Sequence, residues 1–345
     1  MAYNNPSKFL FLILLLIGTM MTISANSWLA TWMGLEINLL SFIPLISDSM
    51  NIFSTEAALY YFIIQAIASS LLLFLIIISF ILEKNLVNIQ SIFYVFISTT
   101  LFMKLGACPF HYWFPKVMEG LTWMNCFILM TWQKLAPFFI LTLIFKNFIW
   151  FNLISFSSII IGSIGGINQT SLRKILAYSS INHIGWMILA LQFNNSIWLI
   201  YFSIYFLINF SLTLLLFTNQ ISHINQFLSF NSSNNNLYNF FISMNFLSLS
   251  GLPPFLGFFP KWMIIESLQS IWYINFLLTM MIVTSILTLY YYLQISIKIF
   301  LFSSSSNKWL FILHPTNSIM MSLLTNLSSF SILGLPCFIL FFNFI

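Results

Sequence analysis

Charge is what this sequence has least of: 11 Lys and Arg and 6 Asp and Glu among 345 residues, 5% of the chain. Soluble proteins carry about a quarter of their residues as charges. A chain this poor in charge could not keep a polar surface in water, although lipid could solvate it. The net charge of +5 comes from scattered residues with no Lys/Arg run, which excludes a nucleic-acid surface as the primary reading. Cysteine is scarce too. Cys108, Cys126 and Cys337 form no C-x-x-C pair, so neither a disulfide framework nor an iron–sulfur site is encoded. There is no G-x-G-x-x-G, no Walker loop and no flavin or NAD fingerprint. No cofactor is therefore expected in this chain, and any redox centre belongs to another. Cys108-x-x-His111 offers two ligands without an evident further pair, so no metal site is expected.

What is present is apolar, 60% of the residues, with 41 Phe. Eleven apolar stretches run approximately 8–24, 26–47, 55–82, 91–118, 122–145, 148–167, 172–192, 195–217, 237–268, 274–300 and 318–344. Apolar all round and about 20 residues or longer, they read as spanning helices. The expected fold is an all-α polytopic membrane protein with about eleven transmembrane helices. Phe230–Asn236 and Ser303–Asn307 are low in complexity and read as loops outside the bilayer. The Phe, Ile, Asn and Ser bias is what AT-rich coding DNA produces. No cleavage site or Arg-rich transit segment accompanies the first apolar run. Together these features suggest synthesis inside an organelle.

Loop cations set an orientation. Lys8, Lys116, Arg173, Lys174, Lys298 and Lys308 fall on one side, against Lys84 and Lys146 on the other, six to two. By the positive-inside rule the N-terminus faces the matrix or cytoplasm, and eleven spans put the C-terminus outside.

An internal repeat is the most informative pattern. The segment from Gly106 to Met118 (GACPFHYWFPKVM) matches that from Gly251 to Met263 (GLPPFLGFFPKWM) at seven of thirteen positions, with a constant offset of 145. The copies fall in the fourth and ninth stretches. An odd separation of five spans means opposite crossing directions, the signature of inverted repeats. The expected organisation is one membrane domain with five-helix repeats at 8–145 and 148–300 and a C-terminal helix at 318–344. Pro109 removes a partner from the carbonyl of Leu105, and Pro253 and Pro254 do so for Leu249 and Ser250. Both spans are expected to be discontinuous and to line a wet interior, since lipid cannot satisfy freed backbone groups. A simple packing kink is the alternative.

Four charges lie well inside the apolar stretches, away from their ends: Glu36, Lys104, Lys134 and Lys261, the last nearer the membrane edge. One lone charge at the bilayer centre costs roughly 2.5–3.5 kcal/mol, a large load for packing alone. A structural Glu36–lysine pair with the other lysines snorkelling is the competing reading, strongest for Lys261 and for Lys116, which reads as a rim residue. Lysine suits proton handling. A low-dielectric site disfavours the ammonium form and a nearby carboxylate favours it, so a partner that moves makes a switch. His111, after the first break, and His183, in the seventh stretch, could relay protons or be satisfied interior residues.

These residues carry a resemblance. The Lys104-x-Gly-x-x-Pro109-Phe110-His111 element, the Arg173-Lys174 to Gly185 stretch and the Gly-Leu-Pro-Pro-x-x-Gly-Phe break resemble the proton-translocating antiporter-like membrane family. Trp32-Met-Gly-Leu-Glu36-Ile-Asn and Leu129-Met-Thr-Trp-Gln-Lys134 narrow it to the branch found in mitochondrial respiratory complex I, the NADH:ubiquinone oxidoreductase. The resemblance covers essentially the whole chain. It implies an inner-membrane subunit taking part in proton translocation, with electron transfer elsewhere in the complex. Glu36, Lys104, Lys134 and Lys261 match the family's polar axis, with His111 and His183 as candidate relays. Its implied partners are other membrane and accessory subunits, lipids, protons and internal water. It also implies the shortened animal form, three N-terminal helices fewer than bacterial relatives. A cation/proton antiporter subunit without redox coupling is the alternative function, and a spacer that only anchors partners is a third.

Overall fold

The structure is a computed structural model that describes residues 6–48, 50–82, 87–144, 148–228, 236–269, 275–302, 325–332 and 334. Among these the regular elements are helical, and the only strand-like contact is an isolated bridge between Ser171 and His223. In hydrocarbon every backbone donor must be paired within its own segment, so an apolar run has little choice but to coil. Hydroxyl groups inside the helices follow the same rule. Thr100 donates to Ile97, Ser179 to Leu176 and Ser180 to Ala177, each at 2.7–2.8 Å one turn back.

The chain divides into two compact units, Met1–Ser158 and Ile159–Ile345. The first contains α1 (Pro6–Ile23), α2 (Trp28–Ile46), α3 (Ile52–Leu82), α4 (Val87–Leu105), α5 (Trp113–Gly120), α6 (Trp123–Met130) and α7 (Trp132–Ile144). The unit boundary falls inside α8 (Phe148–Gly166). The second contains α9 (Leu172–Phe193), α10 (Asn195–Asn219), α11 (Asn236–Ser250), α12 (Phe258–Gln269) and α13 (Asn275–Phe302). A further helical stretch occupies 325–332.

Among the described residues seven helices are long and apolar enough to cross a membrane, so the chain is a helical polytopic membrane protein. They coincide with seven of the eleven expected stretches, counting α6 and α7 as one span. The fourth and ninth stretches are each divided into two shorter helices. The seventh is α9, 22 residues long but polar at Arg173, Lys174, Asn182 and His183, and buried over most of its length. The eleventh lies largely outside the described residues, as do residues 230–235 and 303–307 of the expected loops.

Small residues let the helices meet at their backbones. A Cβ on Gly34 would come within 2.9 Å of the Thr22 nitrogen and 3.0 Å of the Gly18 carbonyl, which locks α1 onto α2. In the second unit, a Cβ on Gly162 would lie 2.6 Å from the Asn182 nitrogen, so α8 and α9 meet in the same way. Elsewhere in the first unit, edge-on aromatic contacts from Phe42 to Tyr61 and from Tyr61 to Trp113 join α2, α3 and α5 at 5.2 and 5.9 Å.

The two breaks follow one plan. Helix α4 ends at Leu105, ahead of Gly106 with φ 74°, and α11 ends at Ser250, ahead of Gly251 with φ 85°. Helices resume at Trp113 and Phe258, so both the ends and the restarts are separated by the 145 residues of the sequence repeat. The immediate cause is the glycine, because a left-handed residue is what terminates a helix and only glycine adopts it without strain. At the first break the amide of Ala107 donates to Phe102 and that of Gly106 to Met103, at 3.0 and 3.3 Å, a Schellman closure. The prolines lie beyond the helix end, where they prevent its continuation. A third interruption, not anticipated from the sequence, falls at Thr131 between α6 and α7. The Thr131 hydroxyl and amide both donate to the Phe127 carbonyl, at 2.7 and 3.0 Å.

Candidate functional site

In the first unit, Lys104 sits in the last turn of α4 and Lys134 in the first turn of α7. Both are buried, and both line one cavity together with Asn38, Tyr61, Gln65, Trp113, Phe114 and Gln133. The cavity has room for a water molecule. Lys134 Nζ lies 5.3 Å above the Phe114 ring, a cation–π contact to the first turn of the restarted helix. Lys104 Nζ is buried with no hydrogen-bond partner from the protein.

Glu36, in the middle of α2, reaches Ser69 of α3, whose hydroxyl donates to Oε1 at 3.3 Å. Its other oxygen, Oε2, is buried and unpaired. The carboxylate nevertheless acts electrostatically on Lys104 and on Tyr61. The structure thus brings Lys104 and Lys134 to one cavity, while Glu36 is held by Ser69 and does not line it.

The carbonyls around the first break are served by neutral side chains. Gln65 Nε2 donates to the Lys104 carbonyl at 3.2 Å, and Trp113 Nε1 donates to that of Met103 at 3.1 Å. Tyr61 donates weakly to Gln133 Oε1, at 3.4 Å. Asn38 Oδ1 and Gln133 Nε2 are buried beside the same cavity without partners. Sequence reasoning passed over Tyr61, Gln65 and Asn38. The signal that could have found them is an amide or phenol inside a long apolar run, which is costly in hydrocarbon unless it meets a partner.

In the second unit, Lys261 lies on α12 and is only 5% exposed. This departs from the competing reading, in which its ammonium snorkels toward the membrane edge. Its ammonium folds back to donate to the Ser250 carbonyl at 2.7 Å, and it lies 5.9 Å from the Trp186 ring. Lys116, its counterpart in the repeat, is exposed against Tyr60 at 5.5 Å, as expected of a rim residue.

The two histidines differ. His111 lies in the turn before α5 and not at the start of the helix, and its carbonyl accepts from Phe114 at 3.0 Å. Its Nδ1 is 3.3 Å from the Pro109 carbonyl. His183, in the middle of α9, has Nδ1 2.8 Å from the Tyr201 hydroxyl of α10, and its ring centroid is 5.0 Å from that of Tyr205. His183, Tyr201, Tyr205, Gly257 and Pro260 line a second small cavity. Among the described residues no group of three or more His, Cys, Asp or Glu is placed to hold a metal ion.

Known proteins are similar to this chain in sequence and in fold. The family model for the NADH:quinone oxidoreductase/Mrp antiporter transmembrane region matches residues 25–288. NADH-ubiquinone oxidoreductase chain 2 of Anopheles gambiae is 49% identical over 308 residues, covering 88% of this chain and 89% of that one. The chain of the same name from Aedes aegypti is 44% identical over 332 residues, covering 95% and 96%. Among solved structures, a chain of respiratory complex I from Thermus thermophilus superposes with a TM-score of 0.79 at 24% identity, over 95% of this chain and 79% of that one. A chain of the Mrp complex from Dietzia sp. DQ12-45-1b gives 0.71 at 18% identity, over 84% and 59%. At those identities the two structures speak for the fold alone, whereas the family match covers most of the sequence. The chain belongs to the NADH:quinone oxidoreductase/Mrp antiporter membrane family.

Proposed function

We propose that this chain is a core membrane subunit of mitochondrial respiratory complex I that takes part in proton translocation through buried Glu and Lys groups, with electron transfer carried out in other chains of the complex. Support comes from near full-length relatives named as NADH-ubiquinone oxidoreductase chain 2. The single observation that carries the mechanism is the shared cavity of Lys104 and Lys134, with Glu36 acting electrostatically on the former.

A buried ammonium without a protein partner is too costly to be mere packing, and a cavity with room for water supplies both its solvation and a path. One step balances simply. The Lys104 ammonium gives a proton to cavity water, that water gives one to neutral Lys134, and the Glu36 carboxylate stays ionised throughout. Strengthening or weakening the Glu36–Lys104 attraction biases which lysine holds the proton. Lys261 and His183 form the corresponding proton-handling pair of the second unit, with His111 a candidate relay beside the first break. The 145-residue correspondence of helix ends supports descent of the two halves from one five-helix repeat.

The partners implied are the other membrane and accessory subunits, membrane lipids, protons and internal water. The location implied is the mitochondrial inner membrane, with the N-terminus in the matrix and the C-terminus in the intermembrane space. The second reading, a cation/proton antiporter subunit without redox coupling, draws on the fold shared with the Mrp complex. Purification of the native assembly decides between them. NADH–quinone activity should co-migrate with this chain; co-migration with cation/proton exchange and no NADH oxidation would replace the first reading with the second.

A further inference from the structure

We propose that Tyr201 is a positioning residue for proton transfer, the partner that lets buried His183 occupy both its neutral and its charged state; the proposal rests on the proposed function. The phenol and the imidazole are both buried, on α10 and α9, with Oη 2.8 Å from Nδ1. Neutral imidazole with its proton on Nε2 needs a donor at Nδ1, whereas imidazolium needs an acceptor there. A hydroxyl supplies either by rotating about its C–O bond. A backbone carbonyl can only accept, and that is what faces Nδ1 of His111. The chemistry of the partner therefore separates the two histidines: at His183 Nδ1 itself can gain and lose the proton, while the carbonyl beside His111 favours a proton kept on Nδ1 and leaves Nε2 to titrate.

The surroundings suit proton traffic. The cavity lined by His183 and Tyr201 also meets Gly257, just before α12, and Pro260 in its first turn, which Lys261 follows directly. Lys261 lies against Trp186, one turn beyond His183 on α9. The other titratable groups facing the pair are Tyr205 of α10 and, acting on Tyr201 through the field, Tyr292 of α13.

The test uses fully assembled complex in proteoliposomes and compares Tyr201→Phe with Tyr201→Gln. Phenylalanine keeps the ring and loses the hydroxyl; glutamine loses the ring and keeps a group that both donates and accepts. The expected result is a loss of proton uptake per NADH oxidised in Y201F that Y201Q partly restores. A purely structural role gives the opposite order, and that order would overturn the proposal. Infrared difference spectra of turnover in complex labelled with nitrogen-15 histidine give a second readout. The imidazole band missing from His183→Gln should report a protonation change in the unmodified complex and vanish in Y201F. If Y201F does not assemble, this band decides: no change of His183 protonation on turnover overturns the proposal. Absence of NADH-linked proton uptake in the unmodified complex would show instead that the proposed function is wrong, and would take this proposal with it.

Discussion

The ammonium of Lys261 donates to the carbonyl oxygen of Ser250 at 2.7 Å, the last carbonyl of α11, which has no helical partner because the helix stops at Gly251. A charge that looks costly in a membrane is thereby doing the work of a helix cap. The contact is close on both sides of the break, since a Cβ on Gly251 would lie 3.0 Å from Lys261 Cδ and Nζ. The first break is capped differently, by the neutral side chains of Gln65 and Trp113, and its lysine is left to the cavity.

Lys261→Met therefore removes two things at once, a titrating site and a cap. An unpaired buried carbonyl costs about 1–3 kcal/mol, so the yield of assembled complex should fall together with pumping. Lys261→Gln keeps a donor and loses only the titration. It should assemble better than K261M while pumping no better. Native gels scored beside proton uptake per NADH would show this, and equal assembly of the two variants would contradict the capping role.

Lys134→Met is expected to behave in the other way. Removing a charge from the bilayer interior should leave assembly intact or improve it, and no hydrophobic isostere can accept a proton. Proton uptake per NADH in proteoliposomes should fall at normal assembly. Normal pumping and turnover would remove Lys134 from the pathway.

Gly106→Ala and Gly251→Ala place a side chain where φ is 74° and 85°. An L-residue in the left-handed region costs roughly 1–2 kcal/mol. At position 251 the added methyl also crowds Lys261, so G251A should be the more damaging of the two. The midpoint temperature of activity loss for the assembled complex measures the difference; identical midpoints would count against the crowding argument.

The cation asymmetry of the loops predicts an N-terminus in the matrix. A tag at the N-terminus should be protected from protease in mitochondria with ruptured outer membranes and be cleaved only when the inner membrane is opened. Cleavage in the sealed organelle would falsify that orientation.

Much of this protein follows from its sequence because hydrocarbon enforces local rules. Apolar runs must be helical, so the helical membrane class was legible from composition. A glycine with proline three residues on must interrupt a helix, and both breaks lie where GACP and GLPP predicted them. Glu36, Lys104, Lys134 and Lys261 stood out because charge in an apolar run is costly wherever it points. What only the tertiary structure decided is where those side chains go. Distance along the span puts Lys261 nearer a membrane edge than the other three charges, where its ammonium could snorkel, yet the chain folds back at Gly251 and brings it onto Ser250. Lys104 and Lys134 share a cavity because α4 and α7 pack together, and Gln65 reaches the Lys104 carbonyl across 39 residues of chain. The pairing of His183 with Tyr201 joins two helices in the same way. No local pattern encodes such meetings, since an amide or phenol in an apolar helix announces that it needs a partner but not which neighbouring helix will supply it.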